Sequence, residues 1–206
     1  MPAVTDLRLK AKRGDETLKD VSSLELSNFG IEGAAETLPT RHLSLLPDST
    51  LIEFGLKPGD LRENLVLTGP DIHDFPSGTI VDIGTAKLRL TYHCEPCPRI
   101  KHLVPLNKVL HRRGYLAQIV NPGVIKIGDV LEQTGEMMEP IPYAIPERLM
   151  WYLDKQNTIM SIPRLAREVG LSQSYHRAIP AMIRKLDARY QRMVDCPSFK
   201  QQRRLL

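Results

Sequence analysis

Cysteine is scarce in this chain, and tryptophan scarcer. The 206 residues hold three Cys and one Trp, and aromatic residues make up only 5%. An odd number of thiols leaves no complete disulfide framework, so a reducing cytoplasm is the expected compartment. No run approaches the roughly 20 apolar residues of a transmembrane helix, so membrane insertion by such a helix is not expected. The opening Met1-Pro2-Ala3-Val4-Thr5-Asp6 lacks the apolar core of a secretory signal, and export is not expected either. No internal repeat is present. What remains is an ordinary globular composition, 42% apolar, of a length suited to one medium domain or one domain with a small appendage.

Charge is unevenly placed. Residues 150–206 carry eleven Lys/Arg against four Asp/Glu, a net of +7, whereas the whole chain is +4, so residues 1–149 carry about −3. A basic end behind a mildly acidic body predicts two units with different partners.

The chain reads as mainly β up to residue 138. Short alternating segments are separated by turn signals at Pro47-Asp48, Lys57-Pro58-Gly59-Asp60, Gly69-Pro70, Pro76-Ser77-Gly78 and Asn121-Pro122-Gly123. Thr79–Ile83 running through Gly84 into Lys87–Tyr92 predicts a hairpin, and Tyr115–Val120 with Val124–Ile127 predicts another. Many short strands with regular breaks predict a barrel or sandwich. Leu103, Leu106 and Leu110 stand at helical spacing and predict a helix over 103–113, with Pro105 confined to an early turn. Residues 139–146 are a proline-rich linker expected to run extended. Beyond it the period becomes helical over 147–206. Leu149 and Leu153 lie on one helix. Ser161 caps a second that Gly170 ends, and Ser172 caps a third carrying Tyr175, Ile179, Met182, Ile183 and Leu186. The Gln201-Gln202-Arg203-Arg204 end is expected to fray.

Cys97 is the residue best suited to chemistry. It follows the alternating stretch Ala86–Tyr92, which predicts a half-buried strand, and it is framed by Pro96 and Pro98. Proline fixes its own φ and restricts its predecessor, so the loop is stiff. Arg99 and Lys101 follow at once, and neighbouring cations favour thiolate over thiol. Two other readings of the same run stay open. His93, Cys94, Cys97 and His102 are four ligand types that zinc accepts, although structural zinc sites usually draw on two separated pairs. Cys94 and Cys97 could form a redox dithiol, or Cys94 could resolve an oxidised Cys97. Further candidates are Arg62, Glu63 and Asn64 after the Pro58-Gly59 turn, where Arg offers a planar fork for phosphate or carboxylate and Asn both a donor and an acceptor. Arg41-His42 enters another strand.

Taken in order, Phe29-Gly30-Ile31-Glu32-Gly33, Arg41-His42-Leu43-Ser44, Gly59-Asp60-Leu61-Arg62-Glu63-Asn64, Pro96-Cys97 and Gly128-Asp129 resemble the MOSC domain family, named for the C-terminal domain of molybdenum-cofactor sulfurase. The resemblance covers about residues 4–135. It implies a MOSC-type β-barrel with Cys97 as its reactive cysteine, either a sulfur carrier or a molybdenum ligand. It further implies handling of sulfur or of the molybdenum cofactor (molybdopterin), and in some members molybdenum-dependent reduction of N-hydroxylated compounds. Arg41, Glu63 and Asn64 would line the pocket, and Arg62 and Arg99 would help hold an anionic cofactor such as a pterin phosphate. The partner would be a cysteine desulfurase or a molybdoenzyme. Pyridoxal phosphate would reside on the desulfurase, because no lysine here sits in a recognisable motif for it. The chain departs from the family where Gly33 is followed by Ala34-Ala35-Glu36 in place of the usual Asp and nearby His.

The segment Ile162–Ile179 reads as a helix-turn-helix and resembles the DNA-binding unit of methylguanine-DNA methyltransferases, through Leu165-Ala166-x3-Gly170 and Arg177-Ala178-Ile179. That family's acceptor Pro-Cys-His-Arg is absent, which disfavours alkyl transfer. Ser172, Gln173, Ser174 and Arg177 would face nucleic acid, within a binding unit spanning residues 147–192. Such binding would weaken as salt rises. The alternative is a non-enzymatic nucleic-acid-binding or regulatory protein, or a small helical bundle with no such partner.

Overall fold

The computed structural model describes residues 1–12 and 17–196, so the C-terminal end expected to fray lies outside the described residues. The chain divides into two compact units, Met1–Pro140 and a second that begins at Ile141. In chain order the first holds β1 (Ala3–Leu9), β2 (Lys19–Asp20), β3 (Ser23–Ser27), β4 (Gly30–Ile31), β5 (Leu43–Pro47), α1 (Asp48–Phe54), β6 (Leu65–Thr68), β7 (Thr79–Ile83), β8 (Ala86–His93), β9 (Tyr115–Asn121), β10 (Gly123–Lys126) and β11 (Leu131–Met137). The second holds α2 (Ile145–Leu153), β12 (Met160–Ser161), α3 (Ile162–Glu168), α4 (Ile179–Arg184), α5 (Ala188–Arg192) and β13 (Val194–Asp195).

The main sheet of the first unit runs β11-β7-β8-β9-β5-β6-β1-β2, and β10-β3-β4 form a smaller one. The chain is mainly β, but the closed barrel predicted from sequence is not what forms: the sheets are open. β1 and the start of β11 meet only over a short stretch, through the bridge of Ala3 to Val130 and the hydrogen bonds Val4 N–H to Asp129 O at 2.8 Å and Leu131 N–H to Pro2 O at 2.7 Å. The β11 register on β7 then breaks between Gln133 and Met137, and most of the strand is exposed. Closure would require a continuous ladder between those two strands.

The predicted hairpin through Gly84 forms, with Ile83 paired to Ala86 and Ile80 to Arg89. Its second strand lies between β7 and β9 and is buried along most of its length rather than on one face. The second predicted hairpin does not form. Only Pro122 separates β9 from β10, too short a loop for tight reversal, and β10 pairs with β3 instead, Ile125 opposite Leu24. The Pro47-Asp48 turn signal proves to be the start of α1, which Gly55 ends in the left-handed region at φ 64°.

The predicted helix over 103–113 is absent. Pro105 cannot donate a backbone hydrogen bond, and the chain makes successive short turns, Lys108 N–H to Pro105 O at 3.0 Å and Arg112 N–H to Val109 O at 3.1 Å. Ile100, Val104 and Val109 nonetheless bury themselves with Leu46, Leu51, Leu61 and Val66. Each such side chain contributes roughly 1.5–3 kcal/mol. That packing fixes the segment between Cys97 and Arg113 without a helix.

In the second unit Leu149, Leu153, Leu165, Val169, Ile179 and Ile183 share a core. Arg148 sits within it, 1% exposed. Its guanidinium donates to the carbonyls of Pro142 at 3.1 Å, Tyr143 at 2.6 Å and Val169 at 3.2 Å, tying the segment before α2 to the end of α3. The third predicted helix is broken. Residues Gln173–Arg177 make a 3-10 turn, and a separate six-residue α4 follows with Pro180 in its first turn. Pro180 has no N–H to continue a helix from the preceding turn.

Candidate functional site

The site is built where β8 and β9 end. Their register pairs His93 with Tyr115, and Cys94 N–H donates to Gly114 O at 2.8 Å. The residues just beyond, Glu95 to Cys97 on one side and Arg113 on the other, are thereby brought together. Arg113 is 8% exposed. It donates through Nη1 to Glu95 O and through Nη2 to Leu61 O at 3.5 Å, and its side chain hydrogen-bonds Cys97. Burial works against its charge, but Cys94, Cys97 and Glu63 outweigh that and raise its pKa.

Cys97 is half-buried and extended, φ −135° and ψ 158°, and opens a 3-10 turn over Pro98–Ile100. Burial pushes the Cys94 thiol up, with Arg113 and Arg41 pulling it back and Cys97 and Glu95 adding to the rise. Arg41 closes a 3-10 turn before β5 and stays half-buried. Arg113 therefore bonds Cys97 and acts through its charge on Cys94 and Glu63, and Arg41 acts on Cys94 in the same way. The adjacent cations named from sequence, Arg99 and Lys101, are exposed. The guanidinium bonded to the Cys97 sulfur is Arg113.

Glu63 is 1% exposed. Its Oε1 accepts from Gly59 N–H at 2.5 Å, while Oε2 has no hydrogen-bond partner. Burial raises its pKa, opposed by backbone N–H groups and Arg8, with Asp6 adding to the rise. A side chain at Gly59 (φ 93°) would lie 2.9 Å from Arg8 Cδ, so glycine lets Arg8 cover this turn. Arg62 holds a left-handed φ of 68°, an uncommon and mildly strained state for a residue with a side chain. Asn64 is a brace. Its Oδ1 accepts from Ser44 N–H at 3.0 Å and its Nδ2 donates to Arg8 O at 3.1 Å, joining β1 to β5 beside Glu63.

A buried histidine sets the Arg113 end. His73 Nε2 accepts from Gly114 N–H at 3.0 Å, and Nδ1 lies 2.7 Å from Asp71 Oδ1. Gly114 N–H can only donate, so His73 is neutral with its proton on Nδ1. Burial lowers its pKa, with Asp71 opposing and Arg112 assisting. Sequence reasoning missed both His73 and Arg113. The available signal was Arg113-Gly114 directly before a strand, the mirror of Cys94 directly after one. Among the described residues no group of three or more His, Cys, Asp or Glu is arranged to hold a metal ion, so the four-ligand zinc alternative at His93, Cys94, Cys97 and His102 is not assembled.

In the second unit Gln173, Ser174 and Arg177 fall in the 3-10 turn, and Ser172 Oγ lies 2.6 Å from Ser174 Oγ. No continuous recognition helix carries them. No helix among the described residues is long and apolar enough to cross a membrane.

The MOSC domain model matches residues 29–132, half of the chain, and spans Arg41, Glu63, Cys97 and Arg113. The chain belongs to the MOSC domain family. No curated protein matches it by sequence. Among solved structures this MOSC protein is similar to YiiM from Geobacillus stearothermophilus, with a TM-score of 0.57, 16% identity, and coverage of 88% of this chain and 99% of that one. It is similar to YiiM from Escherichia coli at a TM-score of 0.50 and 19% identity, covering 87% and 91%. The YuaD protein from Bacillus subtilis matches at 0.54 and 18%, covering 64% of this chain and 94% of that one. The first unit is only about two thirds of the chain, so the likeness to the YiiM structures continues into the helical unit. At these identities the likeness concerns the fold.

Proposed function

We propose that this MOSC protein handles sulfur through Cys97. The Cys97 thiolate attacks the outer sulfur of a persulfide on a partner cysteine desulfurase, which holds the pyridoxal phosphate. The donor's S–S bond breaks, the donor cysteine leaves as thiolate, and Cys97 becomes a persulfide. No external oxidant is needed. The observation that carries this reading is the half-buried Cys97 hydrogen-bonded by the buried Arg113 side chain, a partner suited to negative charge on sulfur. The test is incubation with a cysteine desulfurase and cysteine, followed by alkylation and mass spectrometry. Both the unaltered chain and Cys94→Ser are examined. The expected result is a gain of one sulfur on the peptide holding residue 97 in Cys94→Ser, and none in Cys97→Ser.

A second reading is binding of the molybdenum cofactor, and the residues present fit it. Cys97 offers a thiolate ligand, and Arg41, Arg62 and Arg113 offer positive charge for an anionic pterin phosphate. Glu63 Oε2 and Arg113 Nε are buried polar atoms without partners in the protein, and such groups favour a polar ligand. When bound, the cofactor would supply the redox chemistry for reducing N-hydroxylated compounds. This chain's residues would bind and orient it. Contact with nucleic acid through residues 147–192 rests only on the positive charge of that end.

A further inference from the structure

His93 and His111 stand beside the site, and neither reading of its function uses them. His93 is the last residue of β8. Its ring packs edge-on against those of Tyr115 and His73, at centroid distances of 4.8 and 5.4 Å. His93 Nε2 lies 3.2 Å from His73 O. A carbonyl only accepts, so Nε2 carries the proton and Nδ1 of the neutral ring keeps its lone pair. That Nδ1 lies 3.4 Å from Nδ1 of His111, with the ring centroids 5.6 Å apart. His111 is exposed and holds a left-handed φ of 60°, uncommon for a residue with a side chain. One N–H shared across this gap makes a long, weak hydrogen bond. Two imidazole nitrogens bound to one tetrahedral zinc ion are about 3.3 Å apart, close to the spacing here.

We propose that His93 and His111 form a two-histidine site for a divalent transition metal ion of the zinc class. Both ligate through Nδ1. His111 then carries its ring proton on Nε2, and its exposed ring turns slightly to bring both lone pairs onto the ion. Imidazole suits such borderline-soft ions. The bond from His93 Nε2–H to the His73 carbonyl is the outer-shell contact that orients a metal-bound histidine. Arg112, next to His111, has its charge met by Glu53 at 3.0 Å and Asp71 at 3.8 Å. Among the described residues no third His, Cys, Asp or Glu completes a set with the pair, so water fills the remaining positions and the ion is exchangeable. The ion would join the end of β8 to the turn before β9, next in sequence to Cys94 on one side and near Arg113 on the other. The inference does not depend on sulfur transfer to Cys97.

The experiment titrates zinc chloride into the full-length double variant Cys94→Ser, Cys97→Ser by calorimetry, which removes competing thiols and keeps both histidines. One ion per chain is expected to bind. Adding His111→Ala to that variant should weaken binding at least roughly tenfold, since even outer-shell partners of metal ligands are worth about 10–100-fold. His111 is exposed, so the added change is expected to leave the metal-free melting temperature unaltered. A second measurement uses the unaltered chain: the imidazole NMR signals of His93 and His111 should shift together on adding zinc, with that of His42 unmoved. No binding by the double variant, equal affinity after His111→Ala, or shifts that spare His93 and His111 overturns the site.

Discussion

Arg113 keeps its charge where burial works against it, because Cys94, Cys97 and Glu63 favour the charged form, Cys97 also through a hydrogen bond. A charge-assisted hydrogen bond of this kind contributes roughly 1.5–3 kcal/mol, and losing it should slow reactions that need a negative sulfur. Arg113→Met is expected to reduce the rate of Cys97 alkylation by iodoacetamide roughly tenfold, the equivalent of about 1.4 kcal/mol. Arg113→Lys, which keeps the charge, should lose less. An unchanged rate in a variant that still melts cooperatively would contradict the pairing. His73 gives a pH dependence with a definite sign. Burial holds its pKa below the ordinary 6.5, so its contribution to stability is fully present above pH 6.5 and is lost as pH falls through the folded-state value. Protonation would turn Nε2 into a donor facing Gly114 N–H. His42, whose Nδ1 accepts from Ile119 N–H at 3.0 Å and whose pKa burial also lowers, acts in the same direction. Thermal melts across pH 7.5 to about 5 should show falling stability, with a shallower slope in His73→Gln. A flat profile would sink this assignment.

At the scale of elements, what the sequence made legible was local, and what it hid was partner choice. The hairpin through Gly84 was readable because two alternating runs flank one left-handed glycine. Cys97 was readable because its prolines and its strand are neighbours in sequence. Arg113 was not, since it reaches Cys97 only through the pairing of β8 with β9. The segment 103–113 misled because Leu103, Leu106 and Leu110 keep helical spacing, yet Leu103 and Leu110 are exposed and the buried residues are Ile100, Val104 and Val109. Pro180 was overlooked inside an apolar stripe, and it splits the helix on which Ser172, Gln173, Ser174 and Arg177 were placed. The packing of the 98–113 segment is testable by itself. Ile100→Ala should cost roughly 2–5 kcal/mol, as for other buried large-to-small changes, visible as a lower melting temperature. Because Ile100 anchors the chain just after Cys97, the same variant should alkylate at Cys97 with an altered rate. A loss below about 1 kcal/mol would mean that this segment is not part of the core.

For the molecule as a whole, the open main sheet brings one end of β8, one end of β9 and the turn before β6 to a common place, and the MOSC family assignment covers all three. The account comes down to which of the three thiols receives sulfur. Site-resolved mass spectrometry of full-length Cys94→Ser after transfer from a desulfurase, with alkylation to trap the product, answers this directly. The account predicts an added sulfur on Cys97, none on Cys196, and markedly less when Arg113→Met is introduced. Sulfur on Cys196, or none on Cys97 while the desulfurase turns over, would contradict it.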